Sequence, residues 1–200
     1  DWSSDVCSSD LITGNIKNLK NQYIYLEQLY FGDKAPDVLD TALVQNGKFS
    51  LKATAEVEGL YRLRLEKTKN IYIVINDQSE IQIDGDALNE NIDGQNVNTP
   101  ANKVLKNLIQ KYLESSEKLS QLSATVDSLK MNNADSLAQL ANANYSQALN
   151  KYKTLITSYI DTCNDPIVTL FALGYSNSFD KAELKKSIDN LSDRKSTRLN

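Results

Sequence analysis

The spacing of hydrophobic residues changes near Asn98, and this change divides the chain into two parts. Before Asn98, apolar residues alternate with polar ones and are often β-branched or aromatic, the pattern of half-buried strands. After it, apolar residues recur every three or four positions, the pattern of amphipathic helices. The sequence therefore predicts an α+β protein: an antiparallel, sandwich-like β module over residues 12–98, then an α-helical segment over residues 99–192.

Seven short strands are predicted in the first part. They cover residues 12–17, 23–29, 38–44, 48–53, 60–66, 71–75 and 79–84. Asn46-Gly47 predicts a two-residue hairpin between the third and fourth strands, because both positions tolerate positive φ. Residues 71–75 are apolar on both faces, which favours a central strand. Evenly spaced short strands are typical of a small sandwich or a partly closed barrel.

A helical hairpin and two shorter helices are predicted in the second part. Thr99-Pro100 is a helix start. Two heptad seams follow, separated by a polar break at 131–135, and the short break predicts antiparallel pairing. The seam residues are Leu105, Leu108, Tyr112, Leu119, Leu122, Val126 and Leu129, then Ala141, Tyr145, Ala148, Tyr152, Leu155 and Tyr159.

The two shorter helices are predicted from their end signals. Asp165-Pro166 begins the first, which ends at Gly174. Asp180 and Glu183 form a capping box for the second.

Both ends of the chain are interpreted as translated sequencing adapter. Residues 193–200 can be encoded by a string whose reverse complement, in another frame, encodes residues 4–10. The two ends of one natural gene are not expected to be complementary in sequence. The two ends of a metagenomic library fragment are, when the same adapter flanks both. We therefore expect residues 1–11 and 193–200 to be non-native, the native protein to be truncated, and the adapter residues, Trp2 and Leu199 among them, to have no role in the fold.

Composition excludes several classes of function. The chain has no His and two Cys, so it lacks the residues of an ordinary zinc site and the commonest general base. Its net charge of −4 is a poor match to nucleic acid. No apolar run approaches the roughly 20 residues of a membrane-spanning helix. We expect no catalytic residue, cofactor or metal, and hence no enzyme activity in this part of the protein.

Four groups of residues are candidate sites, and each has an ordinary structural explanation that we favour. Cys163 has no neighbouring Cys or His in the sequence and is expected to be an inert thiol. The acidic loop of Asp84, Asp86, Asn89, Asn91 and Asp93 lacks the full calcium-loop pattern.

The other two groups are aromatic. Tyr145, Tyr152 and Tyr159 stand one heptad apart, typical of a core stripe with hydroxyls reaching solvent. A second group could form a sugar-binding platform, although aromatic residues favour strands in any case. That group comprises Tyr23, Tyr25, Tyr30, Phe31, Tyr61 and Tyr72.

Three motifs of the β module resemble a known family. They are Ile12-Thr-Gly14-Asn-Ile16, the Asp40-Thr41 to Asn46-Gly47-Lys48-Phe49 stretch, and Tyr61-Arg-Leu63-Arg-Leu65. They resemble the N-terminal domain of unknown function that precedes an AhpC/TSA thioredoxin-like domain in envelope proteins of Gram-negative gut bacteria. The resemblance covers nearly all of residues 12–192, and the family's Cys-x-x-Cys motif would lie beyond residue 192.

The resemblance implies a non-catalytic structural or interaction module of an envelope thiol–disulfide oxidoreductase. It implies a periplasmic or envelope location, with a signal or lipid anchor preceding the segment and a thioredoxin-like domain following it. Protein clients or a second copy are the other expected partners. The alternative is a ligand-binding β module, for example for glycans, of an envelope lipoprotein.

Overall fold

A computed structural model describes residues 9–54, 58–68, 71–89 and 91–198 of the chain. The strands are β1 (Ser9–Lys17), β2 (Tyr23–Leu29), β3 (Asp37–Leu43), β4 (Lys48–Thr54), β5 (Leu60–Leu65), β6 (Ile71–Ile75), β7 (Glu80–Asp86) and β8 (Gln95–Val97). The helices are α1 (Pro100–Met131), α2 (Asp135–Thr162), α3 (Pro166–Gly174) and α4 (Lys181–Arg198), and a 3-10 turn covers Ile92–Gly94. The predicted α+β class, with a sandwich-like β module before a helical hairpin and two shorter helices, is confirmed.

The strands form two four-stranded sheets. Sheet I has the order β4-β1-β7-β8, and sheet II has the order β3-β2-β5-β6. The pairs are antiparallel except β1 and β7, which run parallel. The described residues thus contain one strand more than predicted, β8, which was missed because its three residues are too short to show a period.

The core lies between the inner faces of the two sheets. Each strand contributes alternate side chains, as period-two patterning requires. Sheet I supplies Ile12, Ile16, Leu51, Ile81 and Ile83, and sheet II supplies Ile24, Leu26, Tyr61, Leu63, Tyr72 and Val74, all at most 1% exposed. Outer-face positions such as Lys48, Ser50 and Lys52 remain in solvent.

The predicted hairpin at Asn46-Gly47 is wrong as a strand pair, although the turn itself is present. Asn46 and Gly47 have φ values of 51° and 78°, as a tight primed turn requires, and Gln45 bridges Lys48. Beyond that bridge the chain divides: β3 pairs with β2 in sheet II, whereas β4 pairs with β1 in sheet I. The turn therefore connects the two sheets at a corner, where the Lys52 amide donates to Asp40 Oδ2 at 2.7 Å.

The prediction that residues 71–75 form a central strand is also wrong, because β6 is the edge of sheet II. Its edge is covered by a side chain from the first turn of α1. Asn102 Oδ1 accepts from the Ile75 amide at 2.8 Å, and Asn102 Nδ2 donates to the Ile75 carbonyl at 2.7 Å. The Ile75 backbone at this edge is thus satisfied without another strand, and Ile75 is fully buried.

The chain divides into two compact units, with the boundary inside α1 between Lys106 and Asn107. In the second unit α1 and α2 are joined by residues 132–134, where Asn133 has a φ of 54°. A connection this short makes α2 run back along α1. No helix among the described residues is long and apolar enough to cross a membrane.

The predicted helix ends are confirmed. Asp165 accepts from the Val168 amide at 2.8 Å, and the helix it caps ends at Gly174. The capping box is reciprocal: Asp180 Oδ1 accepts from the Glu183 amide at 2.8 Å, and Glu183 Oε2 accepts from the Asp180 amide at 2.9 Å.

The expectation that residues 1–11 have no role in the fold is wrong for Ser9, Asp10 and Leu11. They extend β1 and pair with Thr54, Ala53 and Lys52 of β4. Strand pairing uses the backbone, so residues of any origin can extend a ladder if their side chains fit. Residues 193–198 likewise continue α4. Trp2 and Leu199 lie outside the described residues.

Candidate functional site

Two of the motifs that carry the family resemblance meet in sheet I. Gly14 of β1 stands opposite Phe49 of β4, and the phenyl ring lies over the glycine. A Cβ atom at Gly14 would be 2.1 Å from the Phe49 ring, so no other residue fits without a shift. The Ile16 amide donates to the Gly47 carbonyl at 2.8 Å. These motifs therefore specify how the N-terminal strand joins the fold.

The six aromatic residues of the supposed platform do not share a surface. Tyr61 and Tyr72 are 1% exposed and lie in the core. Tyr23 and Tyr25 alternate with buried Ile24 and so lie on the outer face of sheet II. Tyr30 donates to Asp37 Oδ2 at 2.7 Å, with Lys34 Nζ 3.7 Å from its ring centroid, and Phe31 is exposed beside it.

A charge cluster occupies the outer face of sheet II. The Glu27 carboxylate accepts from Arg62 Nε and Arg64 Nε, each at 2.7 Å, and the Arg64 guanidinium lies 4.2 Å from the ring centroid of Tyr25. Burial would raise the pKa of Glu27, but hydrogen bonds and positive charge from Arg64 and Arg62 outweigh it and lower that pKa. This arrangement holds β2 and β5 in register.

The predicted acidic loop begins inside β7, which contains Asp84 and Asp86, and its side chains bond nearby backbone and Asn18. Asp86 Oδ1 accepts from Asn18 Nδ2 at 2.8 Å and from the Leu88 amide at 3.0 Å, and both bonds lower the pKa of Asp86. Asn89 Oδ1 accepts from the Asn91 amide at 3.1 Å. The Asp93 side chain lies outside the described ones. Within the described residues, no three His, Cys, Asp or Glu side chains are grouped to hold a metal.

Cys163 caps the C-terminus of α2. Its amide donates to the Tyr159 carbonyl at 3.0 Å, and its side chain is half-buried. The thiol forms no disulfide with another residue in the described part of the chain.

The tyrosine stripe of α2 is replaced in the structure by a cluster that draws on three helices. Tyr152 is 7% exposed. We predicted that its hydroxyl reaches solvent, but the hydroxyl donates to the Tyr175 carbonyl. The Tyr152 ring lies 6.2 Å from that of Tyr112, which stacks on Tyr175 at 3.8 Å and 7°. Tyr145 and Tyr159 are half-buried, and Lys111 Nζ lies 5.9 Å from the Tyr159 ring centroid.

A small cavity of about 170 Å³ adjoins this cluster. Tyr112, Leu119, Tyr152 and Tyr175 form an apolar wall, and Ser116, Asn177 and Ser178 form a polar rim. The wall is mostly aromatic and the rim is neutral, which suits a small uncharged ligand.

The motifs that contain Gly14 and Phe49 lie within a region that matches a known family. Residues 11–105 match the family model of a domain of unknown function (DUF4369). The DUF4369 match covers β1 from Leu11 onward, β2 to β8 and the first turn of α1, including Gly14, Phe49 and Asn102. It confirms the predicted likeness to an N-terminal domain of unknown function. No curated protein and no solved structure matches the chain.

Sequence reasoning missed the residues on which both clusters depend. Nothing local links Glu27 with Arg62 and Arg64, which are more than thirty positions away and meet it only through strand pairing. Tyr175 follows Gly174 at the end of α3 and belongs to no heptad. The spacing of hydrophobic residues therefore does not predict that it joins a cluster. The buried Asn102 was hidden in the first turn of α1, where polar residues are ordinary.

Proposed function

We propose that this chain is a non-catalytic structural and interaction module of an envelope thiol–disulfide oxidoreductase, with a thioredoxin-like domain following it. The DUF4369 match supports a domain of unknown function over residues 11–105, and the motif resemblance supports its link to a thiol–disulfide oxidoreductase. A periplasmic or envelope location, with a signal or lipid anchor upstream, belongs to the same proposal. The protein's substrates would then be recognised or presented by this module and reduced or oxidised elsewhere.

The observation that carries the interaction role is the apolar surface near the turn of the helical hairpin. Leu137 and Leu140 are 58% and 61% exposed, and their i,i+3 spacing places them side by side on α2. Met131, at the end of α1, is 84% exposed. Ala138 and Ala141 are buried instead, so the larger apolar residues face solvent. Grouped exposed apolar side chains mark protein interaction sites.

The first test is to recover the parent gene from the source DNA without adapter and translate the codons that follow residue 192. A strand followed by a Cys-x-x-Cys motif is the expected result. An unrelated domain, or a stop codon in the native reading frame, would contradict the proposed partner.

The second test addresses the hairpin surface directly. The double variant Leu137→Ser, Leu140→Ser is expected to weaken association of this module with the separately expressed thioredoxin-like domain or with a second copy, measured by light scattering after size exclusion. The matched control is Gln139→Ser with Asn142→Ser, which changes two exposed polar residues of the same helix. Equal behaviour of the two double variants would argue against the surface.

A ligand-binding role for the β module is the alternative proposal. Its remaining support is the pair of tyrosines on the outer face of sheet II. Tyr23 is 48% exposed, and Tyr25 is half-buried. This alternative predicts that Tyr23→Ala abolishes glycan binding by the module while leaving its thermal stability nearly unchanged. Retained binding in that variant would remove the alternative.

A further inference from the structure

The cavity of the helical unit has a wall that is fixed by its own contacts. Tyr112 and Tyr175 stack with ring centroids 3.8 Å apart, and the edge of Phe171 packs on Tyr175 at 5.6 Å. The Tyr152 hydroxyl donates to the Tyr175 carbonyl, which ties α2 to the turn after α3. A ligand therefore meets aromatic surface that is already ordered, and little entropy is lost in shaping the site.

The rim has hydrogen-bonding groups that remain available. Ser116, Asn177 and Ser178 are exposed, and their side chains make no hydrogen bond to any other residue that the structure describes. Together they offer two hydroxyls and one amide, each able to donate and accept. The rim thus suits a ligand with several neutral polar groups at its edge.

The cavity also lacks charge. None of its lining residues is an acid or a base apart from the tyrosine phenols. Burial, followed by the neighbouring tyrosines, raises the pKa values of Tyr152 and Tyr175 to about 12, so both phenols are neutral at pH 7. The volume of about 170 Å³ is well below the roughly 300–1,000 Å³ that encloses a drug-sized molecule, and one ring fills it.

We propose that this cavity binds a single neutral sugar ring, such as a terminal pyranose of a glycan. The apolar C–H face of a pyranose would lie against the aromatic wall, and its hydroxyls would meet Ser116, Asn177 and Ser178 at the rim. A charged ligand would find no counter-charge here. An aromatic or aliphatic side chain would cover the rim groups without bonding them, which is costly. This inference is independent of the proposed interaction role, because it uses neither Leu137 nor Leu140.

The test is a titration of the protein with methyl glycosides of glucose, galactose, mannose and N-acetylglucosamine, followed by amide chemical shifts. Saturable binding of at least one glycoside is expected, with shifts centred on Tyr112 and residues 175–178. Asn177→Ala and Ser178→Ala should each weaken binding about 2- to 10-fold, the effect of losing one hydrogen bond. Both residues are exposed, so these variants retain the fold.

Matched controls are Asn144→Ala and Ser146→Ala, exposed residues of α2 that do not line the cavity. They should bind as the unaltered protein does. The proposal fails if no glycoside saturates, or if rim and control variants bind equally. It also fails if p-cresol, an apolar ring with one hydroxyl, binds more tightly than every glycoside, because the site would then suit an aromatic side chain.

Discussion

Glycine at position 14 is required by packing rather than by backbone conformation. It lies within an ordinary strand, yet the Phe49 ring occupies the space in which a side chain would stand. The ring in turn covers backbone that a side chain would otherwise shield. The contact joins two segments that are more than thirty residues apart in the chain, so the two positions constrain each other.

We predict that Gly14→Ala destabilises the protein by about 1–3 kcal/mol, the usual cost of overpacking a core. The added methyl group forces the Phe49 ring away from its position. In a Phe49→Ala background the same change should cost much less, because the obstruction is gone. Urea denaturation of the four proteins gives the coupling energy, and additive effects would contradict the contact.

Glu27 is a buried carboxylate of the β module that is paired with two arginines. Its side chain is 6% exposed, whereas those of Arg62 and Arg64 are 27% and 39% exposed. Removing the carboxylate leaves two arginines without their counter-ion, and removing one partner of a buried pair is more costly than the pair itself is stabilising.

We predict that Glu27→Gln lowers the free energy of unfolding at pH 7 by about 3 kcal/mol, the lower end for such a loss because both guanidinium groups contact water. The folded-state pKa of Glu27 lies below its ordinary value of 4.5, so its contribution is complete above pH 4.5 and disappears as the pH falls through the folded pKa. The difference between unaltered protein and variant should therefore shrink in acid. Glu114→Gln, an exposed change on α1, is the control and should have little effect at either pH.

At the scale of the elements, local signals predicted the strands and helices but not their partners. Period-two alternation located the strands within a few residues, and helix caps at Asp165 and Asp180 were correct because capping depends only on neighbours. The turn at Asn46-Gly47 was correct for the same reason, but which strands it joins depends on distant pairing. The central position expected for β6 failed because Asn102, from outside the sheet, covers its edge.

The candidate sites also divide into features that local pattern could predict and features that depend on tertiary packing. The burial of Tyr61 follows from the alternation of apolar residues with Arg62 and Arg64 in its strand, so its loss from the aromatic platform could have been predicted. The burial of Tyr72 could not, because its strand is apolar on both faces. The tyrosine cluster could not, because Tyr175 reaches Tyr112 only after three helices have packed.

The buried face of α2 is shifted relative to the heptad prediction. Leu155 was assigned to the seam of α2, yet it is half-buried, whereas Ile156 and Ile160 are fully buried. Besides pairing with α1, this helix packs against α3 and α4, so its buried face is set by more neighbours than the single partner that a heptad seam assumes.

We predict that Ile156→Ala costs about 2–5 kcal/mol, the range for a fully buried aliphatic residue. Leu155→Ala should cost clearly less because part of its side chain already contacts water. Lys151→Ala, an exposed change in the same helix, should stay within about 0.5 kcal/mol. Thermal and urea denaturation rank the stabilities of the three variants. A larger loss of stability in Leu155→Ala than in Ile156→Ala would support the heptad prediction instead.

At the scale of the whole molecule, we propose that the redox chemistry belongs to a thioredoxin-like domain outside this chain. The sequence contains two cysteines, Cys7 and Cys163, and no Cys-x-x-Cys motif. Catalytic disulfide exchange requires a reactive thiolate and usually a nearby resolving thiol. Cys163 sits at the end of α2 with its side chain half-buried, a position that suits a structural thiol.

We therefore predict that the purified chain does not accelerate the reduction of insulin by dithiothreitol above the uncatalysed rate. Cys163→Ser and Cys7→Ser should give the same trace as the unaltered protein, because neither thiol takes part in turnover. Thioredoxin in a parallel reaction controls for the competence of the assay. Turnover that disappears in Cys163→Ser would assign catalysis to this thiol and overturn the non-catalytic role. If the longer parent protein reduces insulin while this chain does not, the activity lies in the part of the protein beyond it, as the proposal requires.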